Sequence, residues 1–229
     1  MRTSAAAWCI LMLAPAAAAA QNTSSSTTLG PRWVCRSADS ANAQNVTATI
    51  AGAPVALSCR PINVTLTMSS GRTVTIGNPQ GDASASVTMK SPQYAGGMTV
   101  SGLQDQWIEM MKSSLGIANV PPGGTVSVGP RYVCRPADNA FPQNGSMTGS
   151  SQALACRAVN FSMQTSTGQT IVVGTPQPAE QAATAGAARP DTISVPGPNL
   201  SGALTPEQLN DRWVTTTYQL FGNPNSGGP

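Results

Sequence analysis

Each of the four cysteines beyond residue 30 is followed directly by an arginine, and this is the clearest chemical signal in the sequence. Another arginine stands three residues before the first cysteine of each pair. A guanidinium group offers several N–H donors in a planar fork, which suits carboxylate and phosphate groups. We therefore predict an anion-binding surface with two equivalent clusters, formed by Arg32, Arg36 and Arg60 and by Arg131, Arg135 and Arg157.

The predicted surface depends on the alternation of side chains along a strand. If Trp33 and Cys35 face the core of an extended strand, Arg32 and Arg36 face solvent on the other side. The ordinary alternative is that the arginines are solvent-facing strand residues that are balanced by Asp39 and Asp138 and bind no ligand. Both interpretations stay open at this point.

The two stretches that carry these cysteines resemble each other. Residues 30–39 read GPRWVCRSAD and residues 129–138 read GPRYVCRPAD, an offset of 99 positions. Further matches follow at an offset of 97, and a third block pairs the segments around Trp107 and Trp213 at an offset of 106. Three blocks in the same order indicate an internal repeat of roughly ninety residues.

The repeat selects one pairing of the cysteines. Four cysteines allow three connectivities, and duplication of a unit that folds alone predicts the disulfide bonds Cys35–Cys59 and Cys134–Cys156. Such bonds are typical of an oxidising compartment. A zinc site is the alternative, but the chain has no Cys-x-x-Cys spacing and no histidine. We predict neither a metal site nor a cofactor.

Most catalytic designs are excluded by composition. The chain has no histidine, and its lysines, Lys90 and Lys112, stand in no Ser-x-x-Lys arrangement. Serine or cysteine nucleophiles therefore lack their usual base. Carboxylates such as Asp105 and Asp211 recur in the repeat, but positions near helix N-termini explain them more simply. We expect no catalytic residue and no enzymatic activity.

The first twenty residues have the composition of a cleavable secretory leader. Arg2 precedes an apolar run, and the Ala-rich stretch that ends at Ala20 lies directly before Gln21. This Ala-rich composition is typical of bacterial leaders. No later segment is apolar for long enough to predict a membrane span. We expect a secreted or periplasmic protein that is cleaved near Ala20/Gln21.

Strand and helix signals complete the fold prediction. Short Val-, Ile- and Thr-rich runs predict strands over 32–36, 46–50, 55–60, 63–68 and 73–76, and matching runs follow in the second copy. Capping boxes at Ser101/Gln104 and Thr205/Gln208 predict one helix in each copy. Gly116 and Gly222 are the expected left-handed caps at the helix ends. The aromatic side chains of Trp33, Tyr132, Trp107 and Trp213 should lie in the core.

The predicted fold class is α+β, with two tandem repeats, each a small disulfide-stabilised antiparallel β-sheet unit followed by one α-helix. The expected boundaries are a signal peptide over 1–20, a disordered N-terminal segment over 21–29, unit 1 over 30–125, unit 2 over 126–222 with a low-complexity loop over 176–200, and a flexible tail over 223–229.

A net charge of only +3 and a charged fraction of 9% give no general attraction to polyanions, so we expect no nucleic-acid partner. The leading hypothesis is a secreted or periplasmic, non-enzymatic binding or envelope-associated protein that recognises an anionic polysaccharide or an envelope protein through its arginine clusters. One alternative is a self-associating structural subunit or adhesin of an extracellular assembly. Another is an inhibitor of a secreted hydrolase.

Overall fold

The computed structural model describes residues 25–78, 86–93, 97–117, 120–174, 192–200 and 202–222. This part of the chain is mostly β-structure and contains two long helices. The strands are β1 Ser26–Leu29, β2 Arg32–Ser37, β3 Val46–Ile50, β4 Ala53–Thr67, β5 Thr73–Ile76, β6 Val87–Lys90, β7 Thr125–Val128, β8 Arg131–Pro136, β9 Gly145–Met147, β10 Ala153–Gln164, β11 Thr170–Val173 and β12 Thr192–Pro196, and the helices are α1 Val100–Ser114 and α2 Pro206–Phe221.

All of these strands belong to one hydrogen-bonded sheet of twelve strands. The predicted fold class, two tandem α+β units with separate antiparallel sheets, is therefore wrong. Strand β2 pairs with β8, with Val34 opposite Val133, so the sheet continues across the expected boundary near residue 125. The sheet is also mixed, because β1, β6, β7 and β12 run parallel to their partners β5, β4, β11 and β10.

Six of the strands close into a ring. They pair in the order β3, β4, β2, β8, β10 and β9, and β9 pairs back to β3. Alternate residues of these strands fill the interior with a small buried cluster that includes Trp33, Tyr132 and the four cysteines. The prediction that these two aromatic side chains share the inward face of the cysteines is confirmed.

Both predicted disulfide bonds are present inside the ring. Cys35 is bonded to Cys59 and Cys134 to Cys156. The two bonds touch, since Sγ of Cys35 lies 3.5 Å from Sγ of Cys134. Two cross-links between neighbouring strands therefore share one apolar interior.

A larger core lies between the sheet and the two helices. Trp107 of α1 and Trp213 of α2 are fully buried there and stack with ring centroids 5.7 Å apart, which confirms their predicted place in the core. Asp105 of α1 accepts a hydrogen bond of 2.9 Å from the Ser166 backbone N–H, and Asp211 of α2 accepts one of 2.7 Å from that of Ser69. Each helix is thus tied to a turn in the other half of the chain.

The helix starts follow different capping patterns. At α2 the predicted Thr205/Gln208 capping box is present. At α1 the N-cap is Thr99, whose Oγ1 accepts from the Gly102 backbone N–H at 3.1 Å, so the Ser101/Gln104 box is wrong. Gln104 is fully buried instead and donates to the backbone oxygen of Gln164. Its side chain serves the core rather than the helix terminus.

The helix ends differ as well. Gly116 follows α1 with φ of +63° and is the expected left-handed residue. Gly222 at the end of α2 has φ of −91°, so the same expectation is wrong there. Among the described helices, none is long and apolar enough to span a membrane.

Several predicted boundaries change because distant strands pair. Strand β4 is one continuous strand rather than two strands over 55–60 and 63–68. Strand β1 lies in the segment expected to be disordered, and β12 lies in the expected low-complexity loop. Parallel pairing with β5 and β10 provides their backbone hydrogen bonds. The predicted leader (1–20), residues 21–24 and the tail (223–229) lie outside the described residues.

Candidate anion-binding clefts

The arginines of the predicted clusters lie on the helix-facing side of four neighbouring strands. Val34 of β2 belongs to the larger core under the helices, and Arg32 and Arg36 stand two positions away from it, so they share its face. The expectation of a solvent-facing side chain is wrong for Arg32, which is only 5% exposed. The face opposite carries Trp33 and Cys35 into the ring.

The structure regroups the arginines. Because β2 and β8 are antiparallel, Arg36 stands directly opposite Arg131, and Arg60 of β4 lies beside them at the end of α1. Each predicted cluster therefore loses one member to the other. The observed groups are Arg36, Arg60 and Arg131 at the C-terminus of α1, and Arg32, Arg135 and Arg157 at the C-terminus of α2.

One arginine in each group holds the end of a helix. Arg32 donates through Nε to Phe221 O at 2.9 Å and through Nη2 to Gly222 O at 3.0 Å. Arg131 donates in the same way to Leu115 O at 2.6 Å and to Gly116 O at 3.2 Å. A cation that bonds the last carbonyls also opposes the helix dipole. These two guanidinium groups have structural partners.

Burial changes the acidity of both helix-capping arginines. Loss of hydration, and secondly the nearby charge of Arg135, lowers the pKa of Arg32 to about 10. Burial and the charge of Arg36 lower the pKa of Arg131 in the same direction. Both groups remain charged at neutral pH, and each carries the cost of a neighbouring like charge.

The α1 cleft is an opening of about 130 Å³ at the C-terminal end of α1, lined among others by Arg36, Asn42, Ser58, Arg60, Leu115 and Gly116. Arg60 is exposed and Arg36 is half-buried. Across the part of the chain that the structure describes, neither side chain makes a hydrogen bond or an ion pair. Two arginines therefore line the cleft, and the donors of their guanidinium groups have no partner among these residues.

The carboxylate of Asp39 forms no ion pair with these arginines among the described residues. Asp39 Oδ1 accepts from Asn42 Nδ2 at 2.7 Å and from the Ala41 backbone N–H at 2.9 Å. The hydrogen bond from Asn42 is the main cause that lowers the pKa of Asp39, and the more distant charge of Arg36 contributes least. The carboxylate keeps its charge without neutralising Arg36 through an ion pair.

The α2 cleft is the sequence-equivalent place at the end of α2, lined among others by Arg32, Arg135, Phe141, Arg157, Ile193 and Gly222. Its volume is about 20 Å³, close to what one water molecule needs. Arg135 forms an ion pair of 2.8 Å with Asp138, and its guanidinium carbon lies 3.9 Å from the centroid of the Phe141 ring. Arg157 lies over the same ring at 4.9 Å.

The α1 cleft combines two features that an oxyanion site needs, guanidinium donors without a partner in the described residues and positive charge without an ion pair. Sequence reasoning identified Arg36 and Arg60 but missed Asn42, Ser58 and the end of α1. One signal was available: continuation of the 99-residue offset beyond residue 39 places Asn42 opposite Phe141, a polar residue against an aromatic one.

A metal at the cysteines does not fit the observed chemistry. Sulfur atoms of Cys35, Cys59 and Cys134 lie within 4.8 Å of one another, but all of them belong to disulfide bonds. A metal ligand would have to be a thiolate. The disulfide bonds are compatible with an extracellular or periplasmic protein.

The geometry of the α1 cleft is the basis for a functional assignment. Its features are a pair of uncommitted guanidinium groups, a polar rim and a helix end whose carbonyls are already bonded. Comparisons with protein-family models, with curated proteins and with solved structures found no match for this chain.

Proposed function

We propose that this is a secreted or periplasmic, non-enzymatic binding protein that recognises the carboxylate group of an anionic envelope glycan in the α1 cleft. One observation carries the proposal: Arg36 and Arg60 line a cleft of about 130 Å³, and neither side chain has a hydrogen-bonding partner in the described residues.

Electrostatic repulsion supports an anion at this place. Arg36 of β2 stands directly opposite Arg131 of the adjacent strand β8, and like charges in that position are unfavourable. Arg60 adds a third positive charge two positions from Ser58, the cross-strand partner of Arg36. An oxyanion between Arg36 and Arg60 would relieve this repulsion and accept several charge-assisted hydrogen bonds.

The end of α1 does not oppose an anion as strongly as a bare helix C-terminus would. Free carbonyls at that end carry partial negative charge. Here the last carbonyls, of Leu115 and Gly116, already accept hydrogen bonds from Arg131. The cleft therefore keeps a net positive character next to a helix end.

The polar rim supports a hydroxyl-rich ligand. Ser58 lies between the two arginines on the same face, and its hydroxyl makes no hydrogen bond with another described residue. Asn42 uses its amide nitrogen on Asp39, which leaves its carbonyl oxygen to accept. Sugar hydroxyls next to a carboxylate would match these two groups, whereas a purely apolar acid would leave them unpaired.

Titration calorimetry with trigalacturonic acid, and with its neutral methyl ester as control, tests the proposal. We expect the acid to bind and the ester not to bind, with weaker binding at high salt. Arg36→Ala and Arg60→Ala should each weaken binding by about tenfold or more, because each removes charge-assisted hydrogen bonds.

Arg212→Ala is the matched control, since it removes the same charge from an exposed position of α2 outside both clefts. Equal weakening by Arg212→Ala would reduce the effect to net charge and contradict the proposal. Binding of the methyl ester, or unchanged binding by Arg36→Ala, would contradict it as well. Growth of the particle with concentration in light scattering would favour the structural-subunit alternative.

A further inference from the structure

We infer that Asn42 at the α1 cleft and Phe141 at the α2 cleft decide which of the two clefts binds an anion. The chain then has one carboxylate site, at the α1 cleft, and the arginines of the α2 cleft are neutralised internally. This inference rests on the proposed function and deepens it. The sequence predicts two equivalent arginine clusters, whereas the inference assigns a single binding site, which Asn42 keeps open.

The two positions are comparable because the same backbone turn precedes them. Asp39 and Asn42 form an antiparallel bridge, and Asp138 and Phe141 form its counterpart. In both turns the aspartate Oδ1 accepts from a backbone N–H two residues later, at 2.9 Å in the first and 2.8 Å in the second. The side chains of Asn42 and Phe141 thus start from matching places, and the difference between the clefts lies beyond the backbone.

Phe141 closes the α2 cleft in two ways. Its ring is buried, with 6% of its surface exposed, and it fills space that is open at the α1 cleft. The ring face also lies against Arg135 and Arg157, at 3.9 and 4.9 Å. A cation over an aromatic face is attracted by the ring quadrupole, so Phe141 stands where an anion would otherwise compensate the arginines.

Asn42 distinguishes the α1 cleft from its counterpart. Its shorter side chain leaves about 130 Å³ where the counterpart has about 20 Å³. Its amide also donates to Asp39 Oδ1 at 2.7 Å, and Asp39 makes no ion pair with a described residue, whereas Asp138 bonds Arg135 through Oδ2 at 2.8 Å. Asn42 therefore provides the space that Phe141 fills at the counterpart, beside a carboxylate that forms no ion pair with the arginines of its cleft.

The ligand group that fits this arrangement is a single terminal or side carboxylate of a glycan, held by two arginines of one cleft. A polymer would gain little from the second arginine group, since Arg32 is committed to the end of α2 and Arg135 to Asp138. Affinity for a carboxylated oligosaccharide should then depend on one sugar unit rather than on chain length.

Asn42→Phe is the decisive variant. We expect it to weaken trigalacturonate binding by about tenfold or more in calorimetry, because the ring covers both guanidinium groups, while near-ultraviolet circular dichroism and the thermal midpoint stay those of the wild type. Asn42 is partly exposed, so the fold has room for the substitution. Asn42→Leu is the control that fills space without an aromatic face and should weaken binding less.

Phe141→Asn is the reciprocal variant. Its expected result is a second bound trigalacturonate per chain, which the added change Arg135→Ala removes. Phe141→Leu keeps the α2 cleft filled and should leave the stoichiometry of the wild type. If Phe141→Asn does not fold, Asn42→Phe alone decides the inference.

The possible failures are distinguishable. Wild-type affinity in Asn42→Phe, with binding still lost in Arg36→Ala, would overturn the inference and leave the proposed function intact. Two bound ligands per wild-type chain would also overturn it. Wild-type affinity in Arg36→Ala would instead remove the proposed function itself.

Discussion

The α1 and α2 clefts share strand β2 and each carry three arginines, yet only the α2 cleft contains an ion pair that neutralises part of its charge. At the α2 cleft, Asp138 and the ring of Phe141 compensate Arg135 and Arg157. At the α1 cleft, Asn42 donates to the equivalent carboxylate, and Arg36 and Arg60 make no hydrogen bond or ion pair with a described residue. The same arginine-rich sequence pattern therefore contains arginines with internal partners in one cleft and arginines without them in the other, beside Phe141 and Asn42 respectively.

The two helix-capping arginines make similar contacts but differ in burial, and burial should change how much each contributes to stability. Arg32 and Arg131 each bond two carbonyls at a helix end, but Arg32 is buried and Arg131 is half-buried. Water can replace part of what Arg131 provides. The same contacts should therefore be worth more at the α2 cleft.

The largest effect on this comparison should come from Arg32→Ala. Loss of two charge-assisted hydrogen bonds from a buried site should lower the free energy of unfolding by about 3–5 kcal/mol. Arg131→Ala should cost clearly less, because solvent reaches the carbonyls it leaves. Urea denaturation followed by tryptophan fluorescence measures both. An equal loss of unfolding free energy in the two variants would show that burial does not determine the contribution of these arginines.

A smaller effect should follow from removal of the residues that distinguish the clefts. Phe141→Ala should lower stability by about 3 kcal/mol, at the low end for a buried phenylalanine, since the site lies close to the surface. Asn42→Ala should cost about 1 kcal/mol or less, because it removes one hydrogen bond from a partly exposed site. The same denaturation series measures both, and a reversed order would contradict the closed and open assignments.

The smallest effect should be on the ionisation of Asp39. Its pKa is lowered mainly by the hydrogen bond from Asn42, so Asn42→Ala should raise it toward the ordinary aspartate value. A folded-state pKa below the unfolded one stabilises the protein above the unfolded pKa, and this contribution is lost as pH falls through the folded pKa. Carboxyl-carbon NMR titration measures the change, and an unchanged pKa would contradict this role of Asn42.

Local features of the fold were predictable from the sequence. The cysteine pairing followed from the two matched stretches, and the buried places of Trp33 and Trp107 followed from strand and helix periodicity. The Thr205 cap of α2 followed from its capping box. These features depend on residues that are near in sequence or directly matched between the two stretches.

The closed ring and the composition of the clefts were not predictable in this way. They depend on the antiparallel pairing of β2 with β8, which places Arg36 opposite Arg131. Arg32 lies near the other end of β2 and therefore belongs to the other group. No local pattern encodes which strands from distant parts of the chain will pair. The burial of Arg32 follows from the docking of α2, a contact with residues 189 and 190 positions away.

The contact between the two disulfide bonds has a consequence for oxidative folding. Sγ of Cys35 and Sγ of Cys134 are 3.5 Å apart, so a thiolate released at one bond would lie within reach of the other bond for exchange. We expect a transient Cys35–Cys134 bond in refolding mixtures quenched with an alkylating agent and mapped by mass spectrometry, and its absence at all times would contradict this expectation. The sulfur contact would then let a mispaired chain recover the native pairing while the strands of the ring remain assembled.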